Sequence, residues 1–163
     1  MPAISSGRII NGNAYDFSSI TITIANIPYQ GVTEISYNES LEPGELRGTG
    51  AYMRARTRGE YKAESSFSMG KADFEPLLQA LRKTPTGGYA EKPFLITVVY
   101  AEAGSPTITD MIEGCRITKI EDSHGGKSDA LVVKVDLNVF RICRNGSYMV
   151  AENVAAAAGL VAP

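Results

Sequence analysis

The stretch Thr57–Leu81, TRGEYKAESSFSMGKADFEPLLQAL, decides the fold. Its first half alternates. Tyr61, Ala63, Ser65, Phe67 and Met69 fall on one face, and Lys62, Glu64, Ser66 and Ser68 fall on the other. A period of two over this length predicts a strand with one buried side. The period then changes. Phe74, Leu77, Leu78 and Leu81 stand at i, i+3, i+4 and i+7, the apolar stripe of a short amphipathic helix over about 71–83. Asp73 is the expected N-cap, which puts Pro76 in the first turn, where its missing N–H is tolerated. A strand feeding such a helix must lay the stripe on a sheet.

Strand signals surround this unit. Asn11-Gly12 predicts a tight turn in an N-terminal hairpin arm, residues 1–17. Ile20, Ile22 and Ile24 alternate with threonines, Asn26–Gly31 reads as a turn or bulged edge around Pro28, and Thr33, Ile35 and Tyr37 resume the alternation. Beyond the helix, Thr84–Pro93 is a Gly/Pro connector and Phe94–Tyr100 a nearly continuous apolar strand. Thr107–Ile120 reads as one or two strands, with a break expected near Glu113-Gly114. Asp122–Asp129 is a polar turn. Leu131, Val133, Val135, Leu137 and Val139 then alternate with Lys134, Asp136 and Asn138, and Asn145-Gly146 supplies the next turn. Residues 147–163 form an apolar tail that must dock or fray. Strands outweigh helix, and there is no internal repeat or domain boundary. The fold class is mainly β, a small barrel or sandwich of about seven to nine strands with one flanking helix.

Residues 38–57 break every period and carry Pro43, Gly44, Gly48 and Gly50. Long unpatterned connections in compact domains are usually functional or disordered. This one holds Leu41, Leu46, Tyr52 and Met53, more apolar bulk than a solvated loop needs, so it is expected to dock on something. Its ends carry opposite charge: Glu39, Glu42 and Glu45 first, then Arg54, Arg56 and Arg58 at every second position. The arginine ridge reads as a solvated face, as a nucleic-acid contact lacking stacking aromatics, or as a partner for the acidic run of another copy. The third reading suits head-to-tail assembly, because heterologous contacts make rings or filaments.

At 163 residues the chain is long enough for one domain burying roughly two-thirds of its unfolded surface. A hydrophobic fraction of 44%, 21% charged residues and a formal net charge of -2 fit a soluble globular protein and argue against a general nucleic-acid binder. There is no apolar run of about 18 residues and no leader-like N-terminus, so the expectation is a cytoplasmic product with no membrane partner. Cys115 and Cys143 are too far apart in sequence for a CxxC motif and read as buried thiols, with a cross-link between subunits as the alternative.

Chemistry is sparse. HGGKSD looks like part of a phosphate loop, but Glu121 stands where that motif needs glycine, and a strand follows instead of a helix. His124, the one histidine, sits in the same turn without carboxylate or thiolate company at ligand spacing. No nucleophile elbow is present. The expectation is no enzyme, with no catalytic, metal or cofactor-binding residues.

The strand entered through TRG with Glu60-Tyr61-Lys62-Ala63-Glu64, the helix ending in LLQAL, the Gly-rich loop before the TRG, and the late segment DMIEGCRITKIEDSHGGKSDALVVKVDLNV together resemble bacteriophage tail tube proteins. That family shares its plan with R-type pyocin tubes and the hemolysin-coregulated protein of type VI secretion. The resemblance runs from about Ile20 to Gly146 and leaves the N-terminal hairpin and the apolar tail unaligned. It implies a single tail-tube-like domain over 1–163 that forms hexameric rings stacked into the inner tube of a virion tail. Such a tube is assembled in the bacterial host cytoplasm and conducts DNA during ejection. Sheath, tape-measure and tail terminator proteins would be the further partners. Adjacent sheets would join into one inner barrel, the long loop would reach the neighbouring ring, and Lys62, Glu64, Ser66, Ser68, Lys134, Asp136 and Asn138 would face the lumen. A conduit should not hold its cargo, so a mixed or slightly negative lumen is expected. Two alternatives stay open: a secretion, pyocin-like or tail-tip ring of the same fold, and a monomeric or dimeric ligand-binding barrel with the loop as a lid.

Overall fold

The computed structural model describes residues 15–126 and 130–151. Its elements follow in the order β1 Ile20–Ile24, β2 Ile27–Tyr29, β3 Val32–Glu42, β4 Glu45–Arg47, β5 Met53–Arg56 and β6 Glu60–Gly70. The helix α1 Lys71–Leu81 comes next, and then β7 Phe94–Tyr100, β8 Ile108–Asp122, β9 Val132–Val139, β10 Arg141–Arg144 and β11 Ser147–Tyr148. Nine of these strands form one sheet, and β4 and β5 pair separately.

The large sheet folds into two layers that share β8. In one layer the order is β2-β1-β7-β8-β10-β11, and in the other it is β8-β9-β6-β3, all neighbours antiparallel. The expected break near Glu113-Gly114 is a bend instead, since β8 runs through it unbroken. Gly114 has φ +67, and a Cβ there would stand 2.6 Å from the Phe140 Cβ. Only glycine allows both the left-handed backbone and this close approach. The second strand turns at the same level: Phe140 separates β9 from β10, and its N–H donates to the Glu113 carbonyl at 3.0 Å.

Between the layers lies one continuous core. Ile24, Ile96, Val98 and Ile112 of the first layer and Phe67, Met69, Val133 and Val135 of the second are fully buried. The helix closes one end with Phe74, Leu77 and Leu81. This is a filled sandwich and not a closed barrel. Cys115 and Cys143 are free and buried, and burial pushes the Cys115 thiol up to about 12.

The alternation in the deciding stretch is realised residue by residue: Ala63, Ser65, Phe67 and Met69 are buried, Tyr61 is half-buried, and Lys62 and Glu64 are exposed. Three expectations are corrected. First, α1 starts at Lys71 as expected but is capped one turn earlier than Asp73. Gly70 is its N-cap without a side-chain bond, Asp73 sits in the first turn where the helix dipole favours an acid, and Pro76 lies inside the helix beyond that turn. Second, residues 38–57 are not an unpatterned loop. β3 stays paired with β6 as far as Glu42 opposite Glu60, and β4 and β5 continue as a hairpin. The chain is pinched between the two ladders, where Thr57 N–H donates to the Gly44 carbonyl at 2.8 Å and Gly59 takes φ +93. Third, the tail expected from residue 147 begins as strand β11, closed by Asn145-Gly146 with positive φ at both residues, the two-residue hairpin turn that the pair signals. The Asn11-Gly12 turn and the rest of the tail lie outside the described residues.

Candidate assembly surfaces

One face of the four-stranded layer packs on the core, so the pleat sends the alternate side chains of all four strands to the opposite face. The register brings the expected lumen residues together there. Glu64 stands opposite Asn138, Ser66 opposite Asp136 and Ser68 opposite Lys134, with Lys62 one step further along β6. The same register adds residues that the sequence reading had not singled out. Glu34, Ser36, Asn38 and Ser40 come from β3, and Arg116, Lys119 and Glu121 from β8. Even numbering along β3 was the available signal for the first group. A bulge between Ile117 and Lys119 hid the second.

As far as the Ser40–Lys62 pair the charges on this face balance, with Glu34, Glu64, Glu121 and Asp136 against Lys62, Arg116, Lys119 and Lys134; beyond it, Glu42 and Glu60 at the root of the arm add two acids. Lys119 and Glu121 pair directly, which lowers the carboxyl and raises the ammonium from their ordinary values. Ser36 and Ser66 share a hydroxyl bond of 2.7 Å, and Thr118 donates to the Asp136 carbonyl at 3.1 Å. A shallow polar concavity of about 440 Å³ runs between Asn38, Glu64, Ser66, Asp136 and Asn138.

Both edges of this layer are open among the described residues. β3 pairs only with β6, and beyond Cys115 strand β8 pairs only with β9. Open edges are templates for another chain. Since β3 and β8 run in opposite directions across the layer, copies arranged around an axis would meet with antiparallel edges.

The third surface is the arm made of the ends of β3 and β6 together with β4 and β5. From 41 to 60 every residue is exposed except Met53, which is half-buried. Leu46 is 61% and Tyr52 88% exposed, a small apolar tip flanked by Arg47 and Arg54. The hairpin sets the two charge runs side by side within one arm. Glu45 stands opposite Arg56 and also pairs with Arg47 at 2.8 Å, while Glu42 stands opposite Glu60 near Arg58.

Glu39 belongs to the arm's anchor. Its side chain, 5% exposed, accepts from Arg144 Nε at 2.7 Å and from the Tyr61 hydroxyl at 2.6 Å, and that hydroxyl accepts from the Ile142 N–H at 3.1 Å. Burial and then the carboxylate push the Tyr61 phenol up to about 12. The Arg144 guanidinium lies 5.2 Å from the Tyr37 ring centre, and Tyr37 binds the hydroxyl of Tyr100 at 2.6 Å and the carboxylate of buried Asp110. The network ties the root of the arm on β3 and β6 to β7, β8 and β10 of the other layer.

No group of three or more potential metal ligands occurs among the described residues, and His124 is exposed in the turn after β8.

No protein-family model matches the sequence, and no curated protein matches it either. Solved structures do match in shape. A chain of the anti-feeding prophage tube-terminating cap superposes with a TM-score of 0.61 at 14% identity, covering 86% of this chain and 96% of its own. A chain of the sheath/tube terminator of the extracellular contractile injection system PVC gives 0.60 at 12% identity, over 82% and 97%. The SPP1 tail tube gives 0.56 at 11% identity, over 91% and 87%. The chain therefore has the tail-tube fold that its sequence resembles.

Proposed function

We propose that this chain is a structural protein whose copies close into hexameric rings that stack into the inner tube of a virion tail, a conduit for DNA during ejection. The observation that carries this reading is the four-stranded layer: one face packed on the core, the other polar and charge-balanced, both edges open and antiparallel to one another. Edge-to-edge pairing of β3 with β8 of the next copy leaves no open edge once the ring closes. The seven expected lumen residues then line the bore, and their balanced charge gives phosphate no net cation surplus to bind. Similarity of fold to tube and tube-terminator assemblies supports the same reading. Sheath, tape-measure and terminator proteins are the partners it implies, assembly takes place in the host cytoplasm, and no catalysis is required of any residue.

The arm is proposed as the contact between rings. Its apolar tip needs a cover, and its residues Leu41, Glu42, Glu45, Leu46, Tyr52, Met53, Arg54, Arg56 and Arg58 are free of the core. Glu39 serves the arm by holding its root. Because Gly44 and Thr57 are already hydrogen-bonded across the pinch at 2.8 Å, Glu45–Arg56 can be replaced by Asn-Gly without disturbing the sandwich. The expected result is a folded protein that forms rings and no tubes by negative-stain electron microscopy. Tubes of normal length from this variant would refute the arm assignment.

A further inference from the structure

At the root of the arm the surface holds a groove of about 1040 Å³, to which the arm lends Leu41 and Arg58 and the end of the other layer lends most of the rest. Its walls include Leu41, Tyr61, Phe140, Tyr148, Met149 and Val150. Phe140 is 71% exposed, and Leu41, Tyr148, Met149 and Val150 are each between 37% and 46% exposed. Contiguous apolar surface of this kind is normally covered by something. The walls are also held in shape. The Tyr148 hydroxyl donates to Glu113 at 2.9 Å, and the Arg141 guanidinium, itself paired with Glu113, lies 4.4 Å from the Tyr148 ring centre.

We propose that this groove is the docking site of the same chain's residues 152–163, laid over Phe140 and Met149 of their own subunit. The described chain ends at Ala151, and Ala151 lines the groove, so the segment is tethered at the site it is proposed to fill. Their sequence, ENVAAAAGLVAP, is apolar apart from Glu152 and Asn153, and Glu152, its one charge, is matched by Arg58 on the groove wall. Attachment at the groove itself gives the segment an effective concentration on the order of millimolar, which a free partner would have to exceed. The arm tip of a second copy fits less well. Leu46 and Tyr52 come with Arg47 and Arg54, and these would meet Arg58 and Arg141.

Disulfide trapping in the full chain tests the assignment. Phe140→Cys combined with Leu160→Cys is oxidised mildly in dilute protein and compared with the control pair Tyr52→Cys and Leu160→Cys. The native thiols are buried and do not compete. The expected result is a disulfide within one chain, forming about tenfold faster than in the control. Leu41→Cys with Val161→Cys repeats the test from the arm side and guards against a local effect of replacing Phe140. A disulfide between chains would assign the groove to another copy's segment, and a rate equal to the control would leave the segment undocked; either result overturns the proposal. Because the trap is read on single chains, failure to form tubes in microscopy is a separate result and bears on the proposed function alone.

Discussion

Removing Arg144 should loosen the arm from the sandwich by an amount that can be worked out. In Arg144→Ala the Glu39 carboxylate, 5% exposed, loses its charged donor at 2.7 Å and keeps only the Tyr61 hydroxyl. A hydrogen bond to a charged group is worth about 1.5–3 kcal/mol, and a fully buried ion left without its partner costs more. Arg144 is itself 46% exposed, so water screens the pair and part of that cost is recovered. The expected destabilisation is about 1–2 kcal/mol, read by urea unfolding as a lower midpoint at unchanged slope. For a chain of this size that corresponds to a fall in Tm of roughly 2–8 °C. The double variant Arg144→Ala, Glu39→Ala should cost less than the sum of the two single ones by at least about 1 kcal/mol, since the pair acts through a single contact. Additive single effects, or a loss in Arg144→Ala below about 0.3 kcal/mol, would mean that the anchor carries no energy and that the arm's root is held by the β3–β6 ladder alone.

Alkaline pH should weaken the fold through the same anchor. Tyr61 is neutral in the folded chain up to about 12, whereas the unfolded phenol ionises near 10.0. Its stabilising share is therefore intact below pH 10 and lost as pH rises through that window. Chemical unfolding at stepped pH should show this loss, and Tyr61→Phe should make it shallower, while Tyr37, whose phenol burial also raises, keeps its own share; an unchanged slope would refute the assignment. Gly114→Val combines a φ of +67 with a Cβ placed 2.6 Å from Phe140, and should cost about 2–4 kcal/mol in urea unfolding. A near-neutral result would show that the bend in β8 does not depend on glycine. Lys62 and Lys134 lie on the face assigned to the bore, so a bulky amine reagent should label them in dispersed chains and spare them in assembled tubes, as read by peptide mass spectrometry. Equal labelling would move the bore to another face.

The parts of the fold legible in the sequence are those where one side of an element meets the core and the other meets water. β6 and β9 announce themselves through Phe67 and Met69 or Val133 and Val135 alternating with polar residues, and α1 through Phe74, Leu77 and Leu81. The arm was hidden for the complementary reason. Both faces of β4 and β5 are solvated, so pairing leaves no hydrophobic period, and Pro43, Gly44 and Gly48 look like loop residues although they flank strands. At the helix start, Gly70 caps without a side chain, and Asp73, the residue that looked like a cap, serves the first turn. The bend at Gly114 was visible as a glycine inside a strand pattern, but its consequence was not. β8 exchanges its partners β7 and β10 for β9 there, and such long-range pairing leaves no local trace. The candidate bore was half legible for the same reason: β6 and β9 supplied their polar positions, while the contribution of β8 was displaced by the bulge at Ile117–Lys119. Glu39 looked like a free surface acid because Arg144, its partner, stands far along the chain.

Sedimentation velocity of the intact chain over a wide concentration series, with negative-stain images of the heaviest species, tests the central claim most directly. The claim is that the open edges β3 and β8 are completed by other copies. The expected result is a concentration-dependent shift from single chains to six-fold rings and then tubes. A single slow boundary at every loading, with no annular particles in the images, would contradict it.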